Sequence, residues 1–399
     1  MTAPAGYRSV FAVPEFRWLW CAHVLSVAGD QLARVALTVL VFDRTASAGL
    51  AALTYALTYL PDLVGGTALA HLADRFDRRF VMVAADVVRA MLVAAMAVPG
   101  LPLVAQAGLL VVVQLAAAPF QAARQAVLPD ILDGDRLTVG IGVTQLTYQG
   151  GLVLGFGAGA AAVAFLGVAG ALLVDAATFV VSAALIGFGL SAHRPGSASA
   201  RRPSILTGWR LVARNPRLRS LLAIACCSGF YVVPEGLAVP YAAQLGGGTA
   251  AVGWLLAANP AGTVLGLVVL RRLPPARRTR WLGPLAVATS FVLVPTGWAP
   301  ALPVSALLWA LAGALSAHDM VTNALYVSAA PASQRGQVVG VAIAVLRAAQ
   351  GLAIVGAGLL AQIFAPSTVV TLFAAAGVLF GLGAAAAWAQ VREGHIQGN

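Results

Sequence analysis

Residues Leu137 to Leu190 read LTVGIGVTQLTYQGGLVLGFGAGAAAVAFLGVAGALLVDAATFVVSAALIGFGL, 54 residues in which Asp175 is the single Asp, Glu, Lys or Arg. A helix crosses the hydrocarbon of a bilayer with about 20 apolar residues. The stretch is therefore read as two spans, Leu137 to Leu166 and Val168 to Leu190, leaving Gly167 between them. Working outward, apolar runs of similar length lie at Trp18 to Phe42, Leu50 to Leu72, Phe80 to Val98 and Leu103 to Ala123 on one side. On the other side they lie at Ser220 to Leu245, Ala250 to Leu270, Trp281 to Gly297, Pro303 to Val327, Val338 to Phe364 and Ser367 to Gln390. In lipid every backbone polar group must be satisfied internally, which runs of this length achieve as helices. The expected fold class is an all-α integral membrane protein with 12 transmembrane helices.

Composition agrees. Of 399 residues, 60% are apolar and 10% charged, against about 25% charged in an average soluble chain. This excludes an ordinary soluble protein, a disordered chain and a disulfide-stapled secreted domain. The formal charge of +11 comes from 25 Arg and no Lys against 14 acids. The missing lysine reads as compositional bias and excludes Schiff-base chemistry. The first run follows Arg8, Glu15 and Arg17 and is too long for a cleaved leader, so it reads as a signal anchor. Cys21, Cys226 and Cys227 lie in or beside apolar runs without metal-ligand spacing and read as packing residues.

Arginine position sets the expected orientation. One set of connections, comprising the N-terminus, Ala73 to Arg79, Arg124 to Arg136, Ser191 to Arg219, Arg271 to Arg280, Ala329 to Gln337 and the tail, holds 21 Arg; the other holds only Arg44. By the positive-inside rule both termini are cytoplasmic in a multi-pass protein of the cell (plasma) membrane. The basicity belongs to that rule and not to nucleic acid. The Arg-rich connection divides the chain into residues 1–190, a six-helix bundle, residues 191–219, a cytoplasmic linker, and residues 220–399, a second, pseudo-symmetric six-helix bundle. Such an organisation is expected when a substrate path lies between two similar bundles.

From Ala70 the chain reads Ala-His-Leu-Ala-Asp-Arg-Phe-Asp-Arg-Arg, ending at Arg79, on the connection between spans 2 and 3. It resembles the signature loop of the major facilitator superfamily, Gly-x-Leu-Ala-Asp-Arg-x-Gly-Arg-Arg, with Ala70 and Asp77 replacing its glycines. The Asp-Arg-Phe-Asp-Arg-Arg version, and Phe16-Arg17-Trp18-Leu19-Trp20 leading into Ser26-Val27-Ala28-Gly29-Asp30, resemble the branch of siderophore, macrolide and multidrug exporters. Span 5 carries Gly142, Gly151, Gly155, Phe156 and Gly159 at the spacing of that superfamily's antiporter motif, with Phe156 where the motif has Pro. Glycines on one helix face also serve plain close packing. Weaker likenesses run through Pro119 to Asp130, Val174 to Phe179 and Arg335 to Val338, whereas Arg271 to Arg278, the loop that should echo the signature, lacks its Asp. The resemblance implies a cytoplasmic gate at Asp74, Arg75, Arg78 and Arg79. There Asp74 would pair with Arg78 or accept from a helix N-terminus. It implies alternating access and export as well.

Nine ionisable residues fall inside the spans: Asp30, Arg34, Asp62, Asp86, Arg89, Asp175, Glu235, Asp319 and Arg347. Each costs at least about 2.5 kcal/mol at mid-depth and so needs a partner, a wet cavity or a function. Counting from span ends puts Asp30 and Asp62 near the midplane, Glu235 and Arg34 somewhat outward, Asp175 nearer the outer side, and Asp86, Arg89, Asp319 and Arg347 toward the cytoplasm. Asp30 and Arg34 share a helix face, so an internal ion pair is easy, and its opening would suit proton coupling. Asp30, Arg34, Asp62 and Glu235 are the proton-coupling or substrate candidates. Asp86 and Arg89 are expected to brace the gate loop. Asp319, with His318 and Asn323, and Arg347 form either a second cluster or an anion contact. Tyr55, Tyr59, Phe230 and Tyr231 either line a drug cavity or pack the bundle.

The expected function is a proton-coupled antiporter, a secondary transporter that exports an amphipathic small molecule such as a drug, antibiotic or siderophore, acting as a monomer without cofactor or metal. The alternative is an uptake carrier or lysophospholipid flippase on the same fold. A membrane enzyme is disfavoured, since no His-Glu-x-x-His, Gly-x-Ser-x-Gly or paired-cysteine pattern occurs.

Overall fold

The computed structural model describes residues 6–59, 72–192, 205–331 and 334–397, and everything below concerns those residues. In chain order the helices are α1 (Tyr7–Phe11), α2 (Pro14–Thr45), α3 (Ala48–Ala56), α4 (Leu72–Arg75), α5 (Arg78–Met96), α6 (Leu103–Ile131) and α7 (Gly134–Gly189). Then come α8 (Ile205–Arg214), α9 (Pro216–Cys226), α10 (Ser228–Tyr231), α11 (Val233–Gly236), α12 (Ala238–Gln244), α13 (Thr249–Arg271) and α14 (Pro275–Phe291). A 3-10 turn at Val294–Trp298 precedes α15 (Leu302–Ser316), α16 (His318–Ala329), α17 (Arg335–Leu360) and α18 (Pro366–Gln397). No strand occurs among the described residues.

Helix starts follow local chemistry. Ser47 Oγ accepts from the Leu50 N–H at 3.2 Å and Asp77 Oδ1 from the Phe80 N–H at 3.1 Å. Asn215 Oδ1 takes the N–H groups of Arg217 and Leu218, with Pro216 at the first helical position where its missing N–H costs nothing. Among the described residues nine helical stretches are long and apolar enough to cross a membrane. The 56-residue α7 counts once there, yet it is two limbs, because Gly167 breaks it with φ +71° and ψ 177°, a backbone that L side chains resist. The break falls between the two runs read from sequence. The run expected at Leu50 to Leu72 is described through Tyr59 and again at Leu72, residues 60–71 lying outside the described residues. The seventh run is not one rod. It is divided over α9 to α12, where Pro234 and Pro240 each remove a ladder donor. Large apolar side chains point outward, among them Phe165, Phe188 and Trp298 at 87%, 92% and 83% exposure, as a hydrocarbon surround allows.

The chain divides into two compact units, Met1–Asp43 with Leu60–Ser199, and Arg44–Tyr59 with Ala200–Asn399. In the first, the limb of α7 before Gly167 lies tight against α2. A Cβ added at Gly151 would come within 2.7 Å of Val27 Cγ1, at Gly155 within 2.8 Å of Gln31 Cβ, and at Gly159 within 3.1 Å of Leu32 Cα. Trp20 Nε1 donates to Thr147 Oγ1 at 2.7 Å across the same seam. Phe16, Leu19, Met82, Phe120, Leu132 and Ile186 fill the core below it. In the second unit, residues 44–59, which sequence alone gives to the N-terminal bundle, group with the C-terminal helices because α3 packs on α17. There a Cβ at Gly358 would meet Ala52 Cβ at 2.6 Å.

Candidate functional site

In the first unit, Ser26 and Asp30 are one turn apart on α2, and Asp86 and Arg89 three residues apart on α5. Asp175, Thr178, Phe179 and Ser182 recur at i, i+3, i+4 and i+7 on the second limb of α7 and so share one face. These faces meet around Arg89, whose side chain is 1% exposed. Its Nη2 donates to Asp30 Oδ1; its Nη1 lies 3.2 Å from Ser26 Oγ and 3.4 Å from Asp86 Oδ1. Its flat guanidinium stacks 4.0 Å from the centroid of the Phe179 ring, a contact worth about 2 kcal/mol when desolvated. Asp86 and Asp175 are fully buried, while 30% of the Asp30 side chain is open.

This arrangement departs from the sequence reading in two ways. Arg89, from another helix, is a cation paired with Asp30, a partner that the one-turn spacing to Arg34 does not announce. Asp86 and Arg89, expected to brace the gate loop, are drawn into a cluster with Asp30 and Asp175, which depth counting had set apart.

In the second unit, Ser228, Tyr231 and Glu235 fall at i, i+3 and i+7 along the interrupted seventh segment. The half-buried Glu235 receives the hydroxyl of Tyr55 on Oε2 at 2.8 Å and, more loosely, that of Tyr59 at 3.4 Å. The Arg347 guanidinium lies 5.2 Å from the Tyr59 ring centroid. Gln350, one turn after Arg347, donates to Ser228 Oγ at 3.2 Å. Tyr231 donates its hydroxyl to Asp319 Oδ2, and His318 Nε2 stands 3.7 Å from Asp319 Oδ1. Glu235 and Asp319 therefore each carry a tyrosine hydroxyl, a feature invisible in sequence because Tyr55 and Glu235 are 180 residues apart. Among the described residues no cluster of three or more His, Cys, Asp or Glu could hold a metal ion.

The gate candidates are anchored locally. Arg78 binds the Asp130 carboxylate, and its Nη1 reaches Ala126 O at 3.0 Å, tying the start of α5 to the end of α6. Arg79 Nη2 donates to Gly187 O on α7. Arg75 lies over the ring of its neighbour Phe76. Asp130 was missed as a partner, although it closes the Pro119 to Asp130 stretch. Asp62 and the side chain of Asp74 lie outside the described residues. Gly151, Gly155 and Gly159 form the close seam, and Phe156 is buried beside them at 1% exposure. Gly142 is not part of the seam, since a Cβ there meets no described atom within 4 Å.

A family model described as Major Facilitator Superfamily matches residues 19–353. The multidrug efflux pump Tap of Mycolicibacterium fortuitum is 28% identical over 364 residues, which cover 86% of this chain and 88% of Tap. Among solved structures, a bacterial homologue of the human lysosomal transporter Spinster, inward-facing and unoccupied, matches with a TM-score of 0.72 at 14% identity, over 94% of this chain and 98% of that one. A POT family transporter in complex with 5-aminolevulinic acid matches with a TM-score of 0.72 at 12% identity, over 94% and 97%. At these identities the structural likeness concerns the fold.

Proposed function

We propose that this chain, which belongs to the Major Facilitator Superfamily, is a proton-coupled exporter of amphipathic small molecules that works by alternating access. Membership makes it a multi-pass membrane transporter of a small-molecule substrate and not an enzyme. Export, proton coupling, a monomeric state, the division at residues 191–219 and cytoplasmic termini are our reading. The likeness to Tap supports the outward direction.

The observation that carries the substrate class is Glu235, an intramembrane carboxylate bound by Tyr55 and Tyr59. A cationic head would find the half-buried carboxylate, and an apolar body would meet the phenol rings of Tyr55 and Tyr59, buried in this state, once the transport cycle uncovers them. The Tyr59 ring already faces the Arg347 guanidinium, so a cation suits it. Energetically, one proton descending about 150 mV releases roughly 3.5 kcal/mol, enough to hold a substrate gradient of a few hundredfold.

The test is a susceptibility panel in a pump-deleted host expressing the chain, with and without a protonophore. Raised resistance that the protonophore abolishes is expected. Unchanged susceptibility throughout refutes multidrug export, and heightened sensitivity points to uptake. In proteoliposomes, substrate-linked proton flux is expected to fall in Asp30→Asn, Asp62→Asn or Glu235→Gln; wild-type exchange by all three refutes the site assignment.

A further inference from the structure

The Arg89 cluster holds one cation and three carboxylates. The charged groups acting on Asp175 are Asp30 from α2 and Asp86 and Arg89 from α5, with no other on its own limb of α7. Arg89 turns Nη2 to Asp30 and Nη1 to Ser26 and Asp86, while its Nε has no hydrogen-bond partner among the described residues. Asp175 is fully buried, and its Oδ2 has no hydrogen-bond partner among the described residues. Its Oδ1 has Thr178 Oγ1 at 3.4 Å, but that hydroxyl gives its proton more closely to the Asp175 carbonyl at 2.7 Å. Neither oxygen has a firm donor. A buried ionised carboxylate in that position costs several kcal/mol, whereas a neutral carboxyl group carries no such charge.

Neighbouring packing places the acid against the helix that carries Asp30. Gly29, immediately before Asp30, has no room for a Cβ, because one would collide with Asp175 Oδ1 and Thr178 Oγ1. The Asp175 carboxyl therefore rests on the α2 backbone beside Asp30, whose own side chain is 30% open.

We infer that Asp175 is a proton-binding site of the first unit, occupied while Arg89 pairs with Asp30 and vacated when Arg89 turns to Asp175. In the exchange, the O–H bond at Asp175 breaks as one at Asp30 forms, and the guanidinium moves the opposite way, so the charge of the cluster is unchanged. The inference rests on the proton-coupled reading only for its role in transport. Proton binding at Asp175 stands or falls separately.

The test uses the full chain in lipid nanodiscs and needs no substrate. Infrared spectra taken across a pH titration are expected to show a protonated-carboxyl stretch at neutral pH that disappears in Asp175→Asn and persists, shifted in frequency, in Asp175→Glu. In Asp30→Asn the guanidinium is released to Asp175, and the band is expected to vanish at neutral pH. An unchanged band in Asp175→Asn overturns the inference, as does an unchanged band in Asp30→Asn for the exchange. If Asp175→Asn fails to fold, the Asp175→Glu and Asp30→Asn spectra still decide. In parallel, proteoliposomes charged with ethidium report proton flux, expected to drop about tenfold in Asp175→Asn, the change that about 1.4 kcal/mol of coupling would give. A wild type that moves no protons with ethidium, yet loses its infrared band in Asp175→Asn, refutes proton-coupled export of this probe and keeps the proton site.

Discussion

Replacing Gly155 by Ala tests whether the glycine row on α7 is a packing seam. The new Cβ would lie 2.8 Å from Gln31 Cβ, 2.9 Å from Ala28 O and 3.0 Å from Gln31 Cγ. Carbon atoms prefer about 3.5–4.0 Å, so α2 and α7 must part locally by roughly 0.7–1 Å, and the contacts alongside lose about a quarter to a half of their attraction. Overpacking of this kind costs about 1–3 kcal/mol. Ala is also the better helix former by about 0.8–1 kcal/mol, which would mask part of the loss. Gly142→Ala removes that ambiguity, since it sits on the same limb with no described atom within 4 Å of its Cβ. Gly157→Ala serves as a second control for the same reason. The propensity gain is common to all three and cancels in the comparison. At roughly 2–4 °C per kcal/mol for a domain of this size, Gly155→Ala should unfold several degrees below both controls. Intrinsic-fluorescence melting in one nanodisc preparation at one scan rate reads the difference. A Gly155→Ala melting point equal to or above that of Gly142→Ala refutes the seam.

Arg89→Ala strands Asp30 and Asp86 without their cation and should destabilise the first unit by about 3–5 kcal/mol, seen as a loss of monodisperse protein in size-exclusion chromatography. Adding Asp86→Asn should recover part of it. Tyr55→Phe removes a 2.8 Å hydrogen bond to Glu235, worth about 1.5 kcal/mol to a charged group, and should change half-saturation for an amphipathic cation about tenfold. Tyr59→Phe, which removes the 3.4 Å contact, should change it less. Arg78→Ala breaks a partly exposed pair with Asp130 and should lower stability by no more than about 1 kcal/mol. A fall in transport rate with melting unchanged would place Arg78 in the gate.

Membrane residence, the helical class and the family were legible from run lengths, arginine placement and the signature loop, because each is a local property of the chain. Even the break at Gly167 lies where two apolar runs meet. The partners of the buried charges were not legible. Asp30 has an arginine one turn away, and spacing favours that neighbour. The guanidinium that structure brings to it comes from Arg89, 59 residues on, because helix packing and not periodicity decides which faces meet. Asp175 was placed by depth alone, and its neighbours on α2 and α5 were not legible for the same reason. A sign was present in the row Asp175, Thr178, Ser182, three polar residues on one face of an otherwise apolar limb. Glu235 was a candidate from sequence, but its tyrosine donors, Tyr55 on α3 and Tyr59 just beyond it, were not legible.

The single-residue junction at Gly167 has a mechanical consequence. A connection that short stores no slack, so a tilt of the limb that bears Asp175 must be taken up by the Gly167 backbone itself or passed to the limb that bears Gly155 and its seam with α2. No loop lies between the two limbs to absorb such a tilt.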